Sequence, residues 1–218
     1  MELNQIKAYL DSPEPQNRMK AIVELRHYIP EVVVPLLKQR MYDKELIVRS
    51  FVAMGLGYKQ TDEGFDALLQ LIVYDNDANV RAEAANSLAK YGDRSIPYLR
   101  ELFERESHWL IRQSILAAMT EMDRPDLLLQ MCRWGLEGDD LVVKLASIAN
   151  LGELGKTPQA WEALEILLDL ANNNAGEIRA QVVTALRNFD DPRAKTALVQ
   201  LRQDSDYRVI AATLEALL

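Results

Sequence analysis

The sequence predicts an all-α protein, a right-handed α-solenoid of about seven short helix pairs. Three observations predict it. A Val or Ile followed by a basic residue recurs along the whole chain; the basic column reads Arg18, Arg49, Arg81, Arg112, Lys144, Arg179 and ends at Ile210, with spacings of 31, 32, 31, 32, 35 and 31. Apolar or small residues follow each pair at helical intervals. No segment alternates with period two over a strand's length. A fixed period near thirty residues marks stacked repeats, because one helix pair cannot bury its apolar face alone.

Each unit is numbered from its Val or Ile as zero. A weak copy, NRMKAIVEL, starts at Asn17. VRSFVAMGL follows from Val48, VRAEAANSL from Val80, IRQSILAAM from Ile111, VKLASIANL from Val143, IRAQVVTAL from Ile178 and VIAATLEAL from Val209. Positions 0, +4, +7 and +8 form one stripe, as in Val80, Ala84, Ser87 and Leu88. Five residues upstream of zero stand Ser12, Asp43, Asp75, Glu106 and Asp204, oxygens suited to capping the helix that follows. Gly57, Gly92 and Gly155 fall where those helices should stop. Before each lies another helical stretch, such as DEGFDALLQLIVYD, DRSIPYLRELFERE, RPDLLLQMCRWGLEG and DPRAKTALVQLRQD. The expected organisation is a single solenoid over 1–218, with units near 1–29, 30–59, 60–92, 93–122, 123–155, 156–189 and 190–218.

Charge narrows the function classes. The chain has 33 acidic and 25 basic residues, a net charge of −8. Nucleic-acid binding needs clustered positive charge, so no nucleic-acid partner is expected. The N-terminus MELNQIKAYLDSPEP reads as neither signal nor transit peptide, and no apolar run is long enough for membrane insertion. The single Cys132 excludes an internal disulfide and a multi-cysteine zinc site. The expected location is cytoplasmic. No phosphate loop, Ser-His-Asp order or carboxylate-pair motif stands out, and no metal site is expected.

An acid, then VR or IR, then Ala and Leu a turn or two on, resembles the HEAT-repeat pattern. Units such as DNDANVRAEAANSLAKYGD and DDLVVKLASIANLGELG look like the short HEAT-like repeats of the phycobilisome lyase group, which includes bilin lyases and phycobilisome-degradation proteins. The likeness runs from about residue 12 to the end. It implies a structural ladder in which Asp43, Asp75 and Glu106 meet Arg49, Arg81 and Arg112 of the same or a neighbouring unit. It also implies a protein that binds phycobiliprotein subunits, bilin or both through its concave face, in bilin attachment or detachment or in phycobilisome degradation. Phycocyanobilin would be a transient ligand, with no cofactor bound tightly. The alternative is a non-enzymatic protein scaffold, for example an accessory of iron–sulfur cluster assembly. Cys132 alone could not hold a cluster, so a partner would have to supply the other cysteines.

Columns −2, +2, +6 and +9 point away from the core stripe, toward the inner side that second helices line in a solenoid. From Leu46 to Leu218 these columns are small or apolar, with Arg187 and Glu215 as their charged members. The candidate binding residues are Trp109, His108, Leu46, Met54, Gln113, Leu141, Leu145, Arg187 and Tyr207. Large apolar residues there suit a partner; small ones equally suit close packing between helices. His108 replaces the acids Glu14, Glu45, Asp77, Asp140 and Asp206 of the other units. It reads as a solvated helix-start residue or as the rim of a Trp109 anchor. Cys132 is expected in packing, Trp161 against its own helix or loop, and residues 170–177 in a mobile loop.

Overall fold

The computed structural model describes residues 1–215; Leu218, the last member of the outward columns, lies outside the described residues. The described residues form helices and turns with no strand. The helices come as seven pairs: α1 (Leu3–Leu10) with α2 (Pro15–Glu24), α3 (Pro30–Lys38) with α4 (Leu46–Lys59), α5 (Asp62–Tyr74) with α6 (Ala78–Ala89), α7 (Ile96–Arg105) with α8 (Trp109–Thr120), α9 (Pro125–Glu137) with α10 (Leu141–Glu153), α11 (Ala160–Leu170) with α12 (Gly176–Leu186), and α13 (Pro192–Leu201) with α14 (Tyr207–Glu215). Short 3₁₀ turns cover Leu25–His27, Gly92–Ser95 and Leu154–Lys156.

Local chemistry explains the helix starts. Proline opens α2, α3, α9 and α13, where its missing N–H costs nothing. Thr61 caps α5 by accepting from the Gly64 N–H at 3.0 Å, with Asp62 and Glu63 in the first turn. The acids five residues before zero act two residues earlier than expected. Asp43, Asp75, Glu106 and Asp204 accept the backbone N–H of the residue two places on, folding the turn that leads into the cap. The capping position itself is three before zero: Asp77 accepts from Asn79 N–H at 2.8 Å and Asp140 from Val143 N–H at 3.1 Å.

The glycines differ from the expected stops. Gly57 lies inside α4, which runs on to Lys59 and ends at Gln60 in the left-handed conformation, φ 47°. A Cβ on Gly57 would fall 2.7 Å from the Ser87 Cβ, so the glycine is there for the approach of α6. Gly155 sits in a 3₁₀ turn, where a Cβ would fall 2.5 Å from the Asn188 carbonyl oxygen. Gly92, at φ 65°, has the conformational role expected of a helix-ending glycine, although it opens the 3₁₀ turn before α7.

The chain divides into two compact units, Met1–Ile115 and Leu116–Leu218. In the first, α2 packs on α4 and α4 on α6, while α3 lies against α4 and α5. Its core holds Ile6, Leu25, Leu37, Leu56, Phe65, Leu88 and Phe103, all fully enclosed. In the second, α10 packs on α12 and α12 on α14, with α11 against α12 and α13. Its core includes Leu116, Cys132, Ile148, Leu151, Val182 and Leu186. In both, the zero column is interior: Val48, Val80, Ile111, Val143 and Val209 are fully buried.

Candidate functional site

Column −2 is the first residue of each second helix from α4 onward. Leu46, Ala78, Trp109, Leu141, Gly176 and Tyr207 open α4, α6, α8, α10, α12 and α14. A first-turn side chain has no preceding turn to lie on, so a large one projects into solvent. Trp109 is 41% exposed and Tyr207 78%, and Leu46 and Leu141 are exposed too. Their neighbours Ile47 and Val142 widen the apolar surface within each unit. Ala78 is half-buried and Gly176 buried.

The other outward columns divide. At +9, Gly57, Ala89 and Gly152 are buried, and at +2 Ala82 is too. A Cβ on Gly152 would fall 3.0 Å from the Ala185 Cα, so backbone meets backbone between α10 and α12. Those small residues serve packing. Met54, Gln113 and Leu145 are half-buried, and Arg187 is exposed just past α12. The first unit thus carries Leu46, Met54, His108, Trp109 and Gln113; the second carries Leu141, Leu145, Arg187 and Tyr207.

His108 is exposed and caps α8: its Nδ1 accepts from the Leu110 N–H at 3.3 Å. The ring lies 6.0 Å from the Trp109 ring at 23°, a loose stack. Capping requires a lone pair on Nδ1, which places the proton of the neutral ring on Nε2.

Four members of the basic column join their repeat to the next. Arg18 reaches Asp43 at 2.8 Å, Arg49 reaches Asp75 at 2.6 Å, Arg81 reaches Glu106, and Arg179 reaches Asp204 at 2.7 Å. Most of these arginines also close their own turn. Arg18 donates to the Ser12 carbonyl, Arg49 to that of Asp43 and Arg179 to that of Asn173. The hydrogen bond from Arg49 to Asp75 raises the Arg49 pKa, and the one from Arg179 holds Asp204 below the usual carboxylate range. Glu106 is therefore engaged by the preceding repeat's Arg81, while Arg112 lies over the Phe103 ring at 4.3 Å.

The remaining candidates are placed as follows. Cys132 is fully buried, and burial pushes its thiol pKa up, away from the reactive thiolate. Trp161, expected in packing, is instead 64% exposed on α11. Between Leu170 and Gly176 the expected mobile loop is tied: Asn173 accepts from Ala175 N–H, and Arg179 donates to the Asn173 and Asn174 carbonyls. Among the described residues no three His, Cys, Asp or Glu side chains converge on a metal site, and no helix is long and apolar enough to cross a membrane.

Paired helices, interior zero columns and arginine rungs between successive turns agree with the sequence match to HEAT repeats over residues 34–120 and 128–218. The chain belongs to the HEAT-repeat family. Comparison with curated protein sequences finds no match. In structure, this HEAT-repeat protein is similar to Escherichia coli YibA, with 17% identity, 97% of this chain and 80% of that chain covered, and a TM-score of 0.66. It is also similar to the complex of CpcE and CpcF of phycocyanin lyase from a Nostoc species, with 18% identity, 100% and 95% covered, and a TM-score of 0.55. At such identities the likeness concerns the fold.

Proposed function

We propose that this HEAT-repeat protein binds phycobiliprotein subunits, acting in the cytoplasm in bilin attachment or detachment or in phycobilisome breakdown. The observation that carries the reading is that each unit exposes large apolar residues where its second helices open, Leu46 and Trp109 in one and Leu141 and Tyr207 in the other. Trp and Tyr dominate interface energetics because they bury much area for little lost rotamer freedom. Similarity to the phycocyanin lyase complex supports the choice of partner.

In this reading the chain contributes binding and orientation. The exposed apolar residues of a unit would cover the tetrapyrrole or the protein surface beside it. Arg187, exposed at the end of α12, would meet a bilin propionate. The buried, protonated Cys132 takes no part in thiol chemistry.

Two measurements test this. Mixing the purified protein with phycocyanobilin should shift or sharpen the pigment's absorption band. Trp109→Ala should weaken binding of phycobiliprotein subunits by about 30-fold or more, the ~2–4 kcal/mol typical of an interface tryptophan. Its melting temperature should barely change, since the ring is already part-exposed. Wild-type affinity in the mutant, or a stability loss of roughly 3–5 kcal/mol as for a core aromatic, would reassign Trp109 to packing.

A further inference from the structure

The first unit holds an apolar groove that none of the helix-opening residues lines, although Met54, a candidate from within α4, does. It lies where α2 and α4 pass over α3, with a volume of about 470 Å³. Val33 and Leu37 of α3 form its floor, and Val23, Phe51, Met54 and Tyr58 its walls. Gly55 lets α4 settle close on this floor: a Cβ there would fall 2.8 Å from the Leu37 Cδ1. Val23 and Tyr58 are exposed at the rim, Tyr58 by two-thirds.

Its charge runs against that of the molecule. The chain is net −8, yet the charged residues lining this groove are Arg26 and Lys59. Lys59 is held by the carbonyls of Arg26 and Tyr28, at 2.8 and 2.6 Å, not by a carboxylate. A third cation, Lys90, sits 4.2 Å above the Tyr58 ring. Two acids lie near these cations: Glu24, close to Arg26, takes the N-terminal ammonium at 2.9 Å, and Glu83, close to Lys90, accepts from the Ser87 hydroxyl at 3.1 Å, so the three cations still outnumber them.

We propose that this groove docks an acidic amphipathic segment of a partner protein, its apolar side chains over Val33 and Leu37 and its carboxylates toward Arg26, Lys59 and Lys90. Charge complementarity selects the occupant, because the rest of a net-negative chain repels an acidic segment while this groove attracts it. The open rim favours a polypeptide over a small molecule, which would leave Val23 and Tyr58 wet; a helix laid in a groove covers both. The proposal stands apart from the reading of Trp109.

The probe is a labelled amphipathic helical peptide with Leu and Phe on one face and Glu on the other, titrated against the full chain by fluorescence anisotropy. A twin with Lys replacing every Glu is the control. Expected is saturable binding of the Glu peptide, at least about tenfold tighter than the twin and weakening with salt. The double variant Arg26→Glu with Lys90→Glu should lose at least about tenfold, and Met54→Glu a similar factor, at unchanged helical content by circular dichroism. Trp109→Ala should bind the peptide like wild type, which separates this test from that of the phycobiliprotein reading. Equal binding of the two peptides, no saturable binding, or an unaffected charge-reversal variant overturns the proposal. So does a loss in Trp109→Ala, which would move the peptide to the helix-opening row.

Discussion

The two units build the same turn with different chemistry. In the first, three rungs follow in consecutive repeats: Arg18–Asp43, Arg49–Asp75 and Arg81–Glu106. In the second, Gly138 and Asn173 stand in the acid column and Lys144 in the arginine column. There Arg179–Asp204 keeps the pattern, tying α12 to the turn before α14, and a more exposed pair, Arg208–Glu177, joins α14 itself to α12. The turn survives the change. Asn173 accepts the Ala175 N–H at 2.9 Å, as Asp75 accepts that of Asp77. Folding the turn needs an acceptor oxygen; crossing to the next repeat needs the charge as well. Where the rung is missing, α10 and α12 are joined by contact, Gly152 against the Ala185 backbone.

This contrast can be broken most strongly at Arg18, 4% exposed, with Asp43 equally enclosed. Arg18→Ala leaves a buried carboxylate without its partner and should cost about 3–5 kcal/mol in denaturant unfolding; a loss below roughly 1 kcal/mol would mean the rung adds no stability. Arg81 is less enclosed. Arg81→Ala should cost about 1–3 kcal/mol, and unchanged stability with lost partner binding would make Arg81 a recognition residue.

The second unit should be more sensitive to volume. Gly152→Ala should cost roughly 1–2 kcal/mol by overpacking against Ala185, whereas Lys144→Ala should stay within about 0.5 kcal/mol, as surface changes do. A larger effect at Lys144 than at Gly152 would reverse the comparison.

The smallest expected effect is in acid. Hydrogen bonds from Arg179 lower the Asp204 pKa, and those from Arg208 push Asp206 down to about 2. Both carboxylates therefore bind fewer protons folded than unfolded. Their contribution is complete above the ordinary aspartate value of 3.8 and is lost as pH falls toward about 2. Melting temperature measured across that window should fall less steeply in Asp204→Asn than in wild type; an equal slope would remove Asp204 from the linkage.

Much of the fold was legible in the sequence because a solenoid is assembled from neighbours. Each repeat contacts mainly the ones beside it, so the period near thirty residues and the interior zero column carry the architecture directly. The turn acids were legible as acceptors, although the bond they make lies just ahead of the helix. The glycines misled, since a helix stop and a close approach both call for the same residue, and Gly57 serves the second. Trp161 misled because the repeat spacing stretches to 35 just there, which suggests a longer helix or loop for the ring to pack on, while its position on α11 faces water.

By itself the sequence determined the paired helices, the columns and the net negative charge. It also placed Trp109 and Tyr207 in one column at the helix starts. Only the tertiary structure decided that each arginine rung crosses to the following repeat's turn, that Gly57 and Gly152 are packing while Trp109 is exposed, and that Val23, Met54 and Tyr58 share a groove with Arg26 and Lys59. The reason is geometric. Residue spacing sets the phase of a side chain around its own helix, whereas which phases meet across repeats depends on how far one helix is displaced against the next, and that is set by the volumes packed between them.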